Sequence, residues 1–147
     1  MAPPDILGVP PHPREADLLA AASAVRERAH APYSRFKVGA ALLDFEGRVH
    51  VGCNVENAAY PQGWCAECSA IAAMVAAGGA RIAAVLVCAV APQPVSPCGG
   101  CRQKLREFAA DDCPVLLAAP DGVQLQTTLG ALLPLGFGPD HLPSPHT

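Results

Sequence analysis

Three things are scarce in this sequence: aromatic residues at 5%, charged residues at 16%, and any apolar run longer than the ten residues from Ile82 to Ala91. So little charge beside 51% hydrophobic residues excludes a disordered chain. Ten apolar residues fall short of the roughly 20 that cross a bilayer as a helix, so no membrane partner is expected. A basic excess is also missing. Lys plus Arg is 10 against 13 for Asp plus Glu, a net charge of -3. Proteins that hold a nucleic-acid backbone need the opposite sign, so no nucleic acid is expected either. Met1-Ala2-Pro3-Pro4-Asp5 has neither a basic n-region nor an apolar h-region. With no signal peptide, a cytoplasmic location is the expectation.

Alanine, proline and cysteine are present in quantity: 28, 16 and 7 residues. Five prolines lie in 3–13 and four in 134–145. One domain over residues 1–147 is therefore expected, with irregular arms at 1–13 and 139–147. Arg14 to His30 is predicted helical, because Leu18, Ala22, Val25 and Ala29 form one apolar stripe that Ala31-Pro32 ends. Lys37 to Asp44 and Arg48 to Cys53 read as a hairpin about Phe45-Glu46-Gly47. Cys65 to Ala77 reads as a helix stopped by Gly78-Gly79, and Ile82 to Val90 as a strand buried on both faces. Ser96-Pro97 offers a hydroxyl cap and a first-position proline for a helix running to about Ala109. Val115 to Ala118 and Val123 to Gln126 form a second hairpin, and Thr128 opens a short helix through Leu133. This order predicts an α/β fold, a three-layer α/β/α sandwich on a mixed five-stranded sheet.

The chemistry concentrates in Trp64-Cys65-Ala66-Glu67-Cys68 and Pro97-Cys98-Gly99-Gly100-Cys101-Arg102-Gln103. In each, two cysteines stand at i and i+3, on one face of a predicted first helical turn. The helix dipole and free amides there favour thiolate, and thiolates favour zinc. An odd cysteine count in a chain too large to need disulfide staples agrees with free thiols or metal in a reducing compartment. Spacing alone leaves two readings open. Cys65, Cys68, Cys98 and Cys101 would make a closed structural site; Cys65, Cys98 and Cys101 with a water would make a catalytic one. Glu67 favours the second, because a closed site needs no carboxylate whereas a hydrolytic one needs a proton carrier. Cys53, Cys88 and Cys113 read as small buried hydrophobes. Arg102 is a candidate partner for a thiolate or for the first segment.

With these segments in view, the sequence resembles the small homotetrameric cytidine deaminases. The motifs are Pro32-Tyr33-Ser34-Arg35-Phe36 with Val38-Gly39-Ala40-Ala41; Gly52-Cys53-Asn54-Val55-Glu56-Asn57-Ala58; Cys65-Ala66-Glu67; Pro97-Cys98-Gly99-Gly100-Cys101-Arg102-Gln103; and Leu132-Leu133-Pro134 with Phe137-Gly138. The resemblance implies one Zn2+ per chain on Cys65, Cys98 and Cys101. It implies Glu67 as the proton carrier between the water, ring N3 and the departing amine. Asn54 and Glu56 would bind the ribose hydroxyls, Phe36 would pack on the pyrimidine, and the Ala66 amide would meet the base carbonyl. Tyr60 and Phe137 would reach a neighbouring subunit's substrate. The implied reaction is hydrolysis of cytidine and 2′-deoxycytidine to the uridines and ammonia, by a homotetramer with shared sites. The family commonly has arginine where this chain has Cys68.

Overall fold

The structure is a computed structural model, described here for residues 9–143. The elements are α1 (Glu15–Arg26), β1 (Val38–Asp44), β2 (Val49–Cys53), α2 (Ala66–Ala76), β3 (Ile82–Ala89), α3 (Gly99–Phe108), β4 (Pro114–Ala119), β5 (Gly122–Thr128) and α4 (Leu129–Leu132). Short 3-10 turns cover Tyr60–Gln62 and Pro139–His141. One sheet in the order β2-β1-β3-β4-β5 carries them. Only β3 and β4 run parallel, with Val85 opposite Val115 and Cys88 opposite Ala118. A parallel pair needs a crossover, and α3 supplies it.

Alternation along the strands divides the core into two layers. Ala40, Leu42, Val85, Val87, Val115 and Leu117 face α2 and α3, where Met74 and Leu105 are fully buried. Ala41, Leu43, Leu86, Cys88, Leu116 and Ala118 face α1, against Leu18 and Ala22. The expected mixed sheet between helical layers is what forms. Two glycines set how closely the helices approach. A Cβ on Gly39 would collide with the Ala22 carbonyl of α1. A Cβ on Gly52 would collide with the Ala70 amide and lie 2.5 Å from the Ala66 carbonyl of α2.

Several boundaries differ from the sequence reading. The first helix ends at Arg26, because Arg28 and Ala29 tighten onto Val25 and Arg26. His30 then leaves to bridge Val55, accepting from Glu56 N at 2.8 Å. The helix expected to open at Ser96-Pro97 begins at Gly99, with Cys98 as N-cap. Ser96 is otherwise engaged: its hydroxyl accepts from Arg102 Nη2 at 2.8 Å. Two other ends agree. Gly79 N donates to Met74 O and Gly78 N to Val75 O, a Schellman stop with Gly78 at φ +87. Thr128 caps α4 by accepting from Ala131 N. The arms expected at 1–13 and 139–147 lie partly outside the described residues; within them, Pro139–His141 is a 3-10 turn. No helix among the described residues is long and apolar enough to cross a membrane.

Candidate active site

Two helix starts converge. Cys65 is the N-cap of α2 and Cys98 the N-cap of α3, and neither helix has a side-chain cap. Cys101 follows in the first turn of α3, buried beneath the two exposed cysteines. The three sulfurs lie within 4.8 Å of one another, and Cys65 Sγ and Cys98 Sγ are 3.8 Å apart. Tetrahedral zinc with Zn–S bonds near 2.3 Å sets its sulfurs about 3.8 Å apart, so the trio can hold that ion. Cys68 is half-buried and stays outside the group, which the closed four-sulfur arrangement does not allow for.

The helix starts do not ionise all three thiols. Burial raises the pKa of Cys101, helped by the negative charges of Glu67 and Cys65. Burial likewise raises Cys65, only partly offset by hydrogen bonding with Cys101. Cys98 alone falls below the ordinary thiol value: burial opposes ionisation, but the amide and thiol of Cys101 and the thiol of Cys65 favour it more. Mutual repulsion among three thiolates is what a divalent cation would cancel.

Glu67, in the first turn of α2, is only 4% exposed. Burial pushes its carboxyl up, while the Cys101 thiol and the charge of Lys104 pull it down. Lys104 lies back over its own helix, its Nζ 3.8 Å from where a Cβ on Gly100 would stand. Arg102 turns away from the thiols. It donates to Pro97 O at 2.7 Å and to Leu132 O at 2.8 Å, tying α3 to α4.

The other expected residues gather beside the hairpin. Asn54 holds the approach to β1: its Oδ1 accepts from Val38 N and its Nδ2 donates to Phe36 O, both at 2.8 Å. Glu56 accepts from Tyr33 N at 2.9 Å, Ser34 N at 3.1 Å and the Ser34 hydroxyl. The Ser34 contacts hold its carboxyl below the usual range. Ser34 had no assigned role in the sequence, although it lies in a quoted motif. A contact across 22 positions leaves no local signal. Ser34 Oγ also accepts from Phe36 N, and Arg35 between them is left-handed at φ +59. The strained turn sits against the site. Tyr33, Ser34, Glu56, Asn57, Tyr60 and Gly63 line an open cavity of about 310 Å³. Tyr60 meets Tyr33 edge to face at 5.7 Å. Ala66, the first residue of α2, is buried. Phe36 is partly exposed, and Phe137 stands apart on the outer side of α3.

Residues 13–117 match the family described as the cytidine and deoxycytidylate deaminase zinc-binding region. The chain belongs to this family. A cytidine deaminase of Sporosarcina psychrophila is 43% identical over 125 residues, 85% of this chain and 92% of that protein. One of Mycobacterium tuberculosis is 43% identical over 115 residues, 78% and 83% of the two chains. The crystal structure of the cytidine deaminase from Burkholderia pseudomallei superposes with a TM-score of 0.79 at 44% identity, covering 83% of this chain and 98% of that one. As a family member the chain is a zinc-dependent hydrolase, and Cys65, Cys98 and Cys101 are the residues placed to hold the ion.

Proposed function

We propose that this chain, as one deaminase-like domain over residues 1–147, converts cytidine and 2′-deoxycytidine to uridine and 2′-deoxyuridine. Water adds at C4 and ammonia leaves. The observation that carries the proposal is a buried carboxylate, Glu67, beside three convergent sulfurs at two helix starts. Bound zinc supplies Lewis-acid activation of the attacking water.

The chain's own groups do the rest. Glu67 takes one proton from the attacking water and passes it to ring N3, then takes the second from the new C4 hydroxyl and passes it to the leaving nitrogen. The first-turn amide of Ala66 has no helical partner and is free to donate to the base carbonyl. The Phe36 ring gives the base a flat apolar surface. Asn54 keeps one amide hydrogen beyond its bond to Phe36 O, and Glu56 keeps a lone pair beyond its three donors; a ribose diol suits both. Tyr60 and Phe137 serve a neighbouring subunit's nucleoside in a homotetramer located in the cytoplasm, with one zinc per chain. Their exposure, 76% and 56%, supports that reading. Nucleic acid and membrane are not partners.

The test is loss of cytidine absorbance with zinc-loaded protein. Wild type turns over, and Glu67→Gln keeps zinc but loses about 10²–10⁴ in kcat, the worth of general acid–base help. A near wild-type rate in the variant removes Glu67 from the reaction.

A further inference from the structure

Phe137 is held on α3 from several sides. Gln103 Nε2 donates to the Phe137 carbonyl at 2.9 Å. One turn along the same helix face, the Arg106 guanidinium packs closely against Gly138. A Cβ on Gly138 would meet Arg106 Cζ at 2.8 Å and Asp140 Oδ1 at 2.9 Å. Those two groups pair, Arg106 Nη2 to Asp140 Oδ1, at 3.0 Å. Gly138 N donates to His141 Nδ1 at 3.0 Å, and the His141 ring stacks on the Phe137 ring, centroids 5.2 Å apart at 15°. The backbone is thus held at the Phe137 carbonyl and the Gly138 amide, Asp140 is tied through its side chain, and one face of the Phe137 ring is backed by His141. More than half of the side chain still faces solvent. Arg106 is largely buried and also reaches Asp111 Oδ1 at 3.5 Å, whereas Asp140 is 65% exposed, so a positioning role has to be separated from a stabilising one by measurement.

We propose that Gln103 and Arg106 are positioning residues. The helix whose first turn carries Cys98 and Cys101 also fixes the direction in which Phe137 is presented to nucleoside in the adjoining subunit. This rests on reading Phe137 as a contact made across a subunit boundary. Its energetic logic is preorganisation: a ring fixed in advance loses less freedom when substrate arrives.

A kinetic double-mutant cycle tests it, with zinc content, melting temperature and oligomeric state measured on each variant. Arg106→Met is expected to raise KM roughly tenfold, with kcat within about twofold and zinc retained. In a Phe137→Ala background the same change should move KM by less than about twofold, since Arg106 acts through the ring. An equal rise in both backgrounds overturns the positioning role while leaving that of Phe137 intact. No rise in KM from Phe137→Ala overturns the reading of Phe137, and the inference with it. If Arg106→Met lowers the melting temperature and kcat together, the cycle is run with Asp140→Asn, which breaks the pair from its exposed side. Additive effects there overturn the inference as well.

Discussion

At the scale of single residues, the three sulfurs and Glu67 were legible because each lies in a local pattern: a helix start, an i, i+3 spacing, a carboxylate two positions from a sulfur. The Ser34–Glu56 contact was not, and neither was the direction of Arg102, whose partners lie up to 30 positions away. Ser96 shows the cost of reading locally: a good cap by type and place is diverted by a guanidinium from inside the helix. Cys68 is the sharpest single-residue case. Standing outside the sulfur trio, it should be dispensable. Cys68→Ala is expected to keep one zinc per chain and a kcat within about twofold of wild type, read by metal analysis and the cytidine assay. Zinc loss from a folded variant would return Cys68 to the ligand set. Cys113 is buried and lies outside the sulfur trio, its thiol pushed up to about 12 by burial and then by the charge of Asp112.

At the scale of elements, the close approach of α2 to β2 over Gly52 places Cys65 and Glu67. Gly52→Ala drives a methyl group into backbone that has no rotamer to yield. The expected cost is about 1–3 kcal/mol in denaturant unfolding, with zinc affinity reduced because the first turn of α2 shifts. Unchanged stability would mean that the helix has slack. The far end of the same hairpin is tied by Asp44. It bonds His50 Nε2 and Arg48 Nε at 2.8 Å and the amides of Glu46 and Arg48 at 2.9 Å. The His50 bond, outweighing burial, and then the Arg48 contacts hold its carboxyl far below the ordinary range. A depressed carboxyl stabilises in full above pH about 4 and loses that contribution as pH falls through its folded value. The melting-temperature gap between wild type and Asp44→Asn should therefore be widest near neutrality and close on acidification. A gap constant with pH would assign the effect to packing. Element order was readable from alternation and turn residues. The early end of α1 was not, because His30 is drawn off by a distant strand bridge to Val55.

At the scale of the whole molecule, six of the seven aromatic residues, Tyr33, Phe36, Phe45, Tyr60, Trp64 and Phe137, are exposed, while the core is built from alanine, valine and leucine. A chain so poor in rings that puts them on its surface has a use for them there. If Phe137 serves a neighbour, chains carrying Glu67→Gln and chains carrying Phe137→Ala should complement one another when co-assembled. Random mixing gives roughly a quarter of the sites both intact groups, and those sites should show wild-type KM. Absence of a wild-type component in the kinetics of the mixture would place both residues in service of their own chain.

The two helix starts lack an oxygen cap because sulfur stands in that place. Without the ion, the first amides of α2 and α3 have only solvent or a thiol to turn to, and both ends should fray together. Hydrogen exchange at Ala66, Glu67, Gly99 and Gly100 would quicken on chelation while the central strands stay protected. The backbone itself would then report metal occupancy, and partly loaded preparations would reveal themselves as two populations at four neighbouring amides.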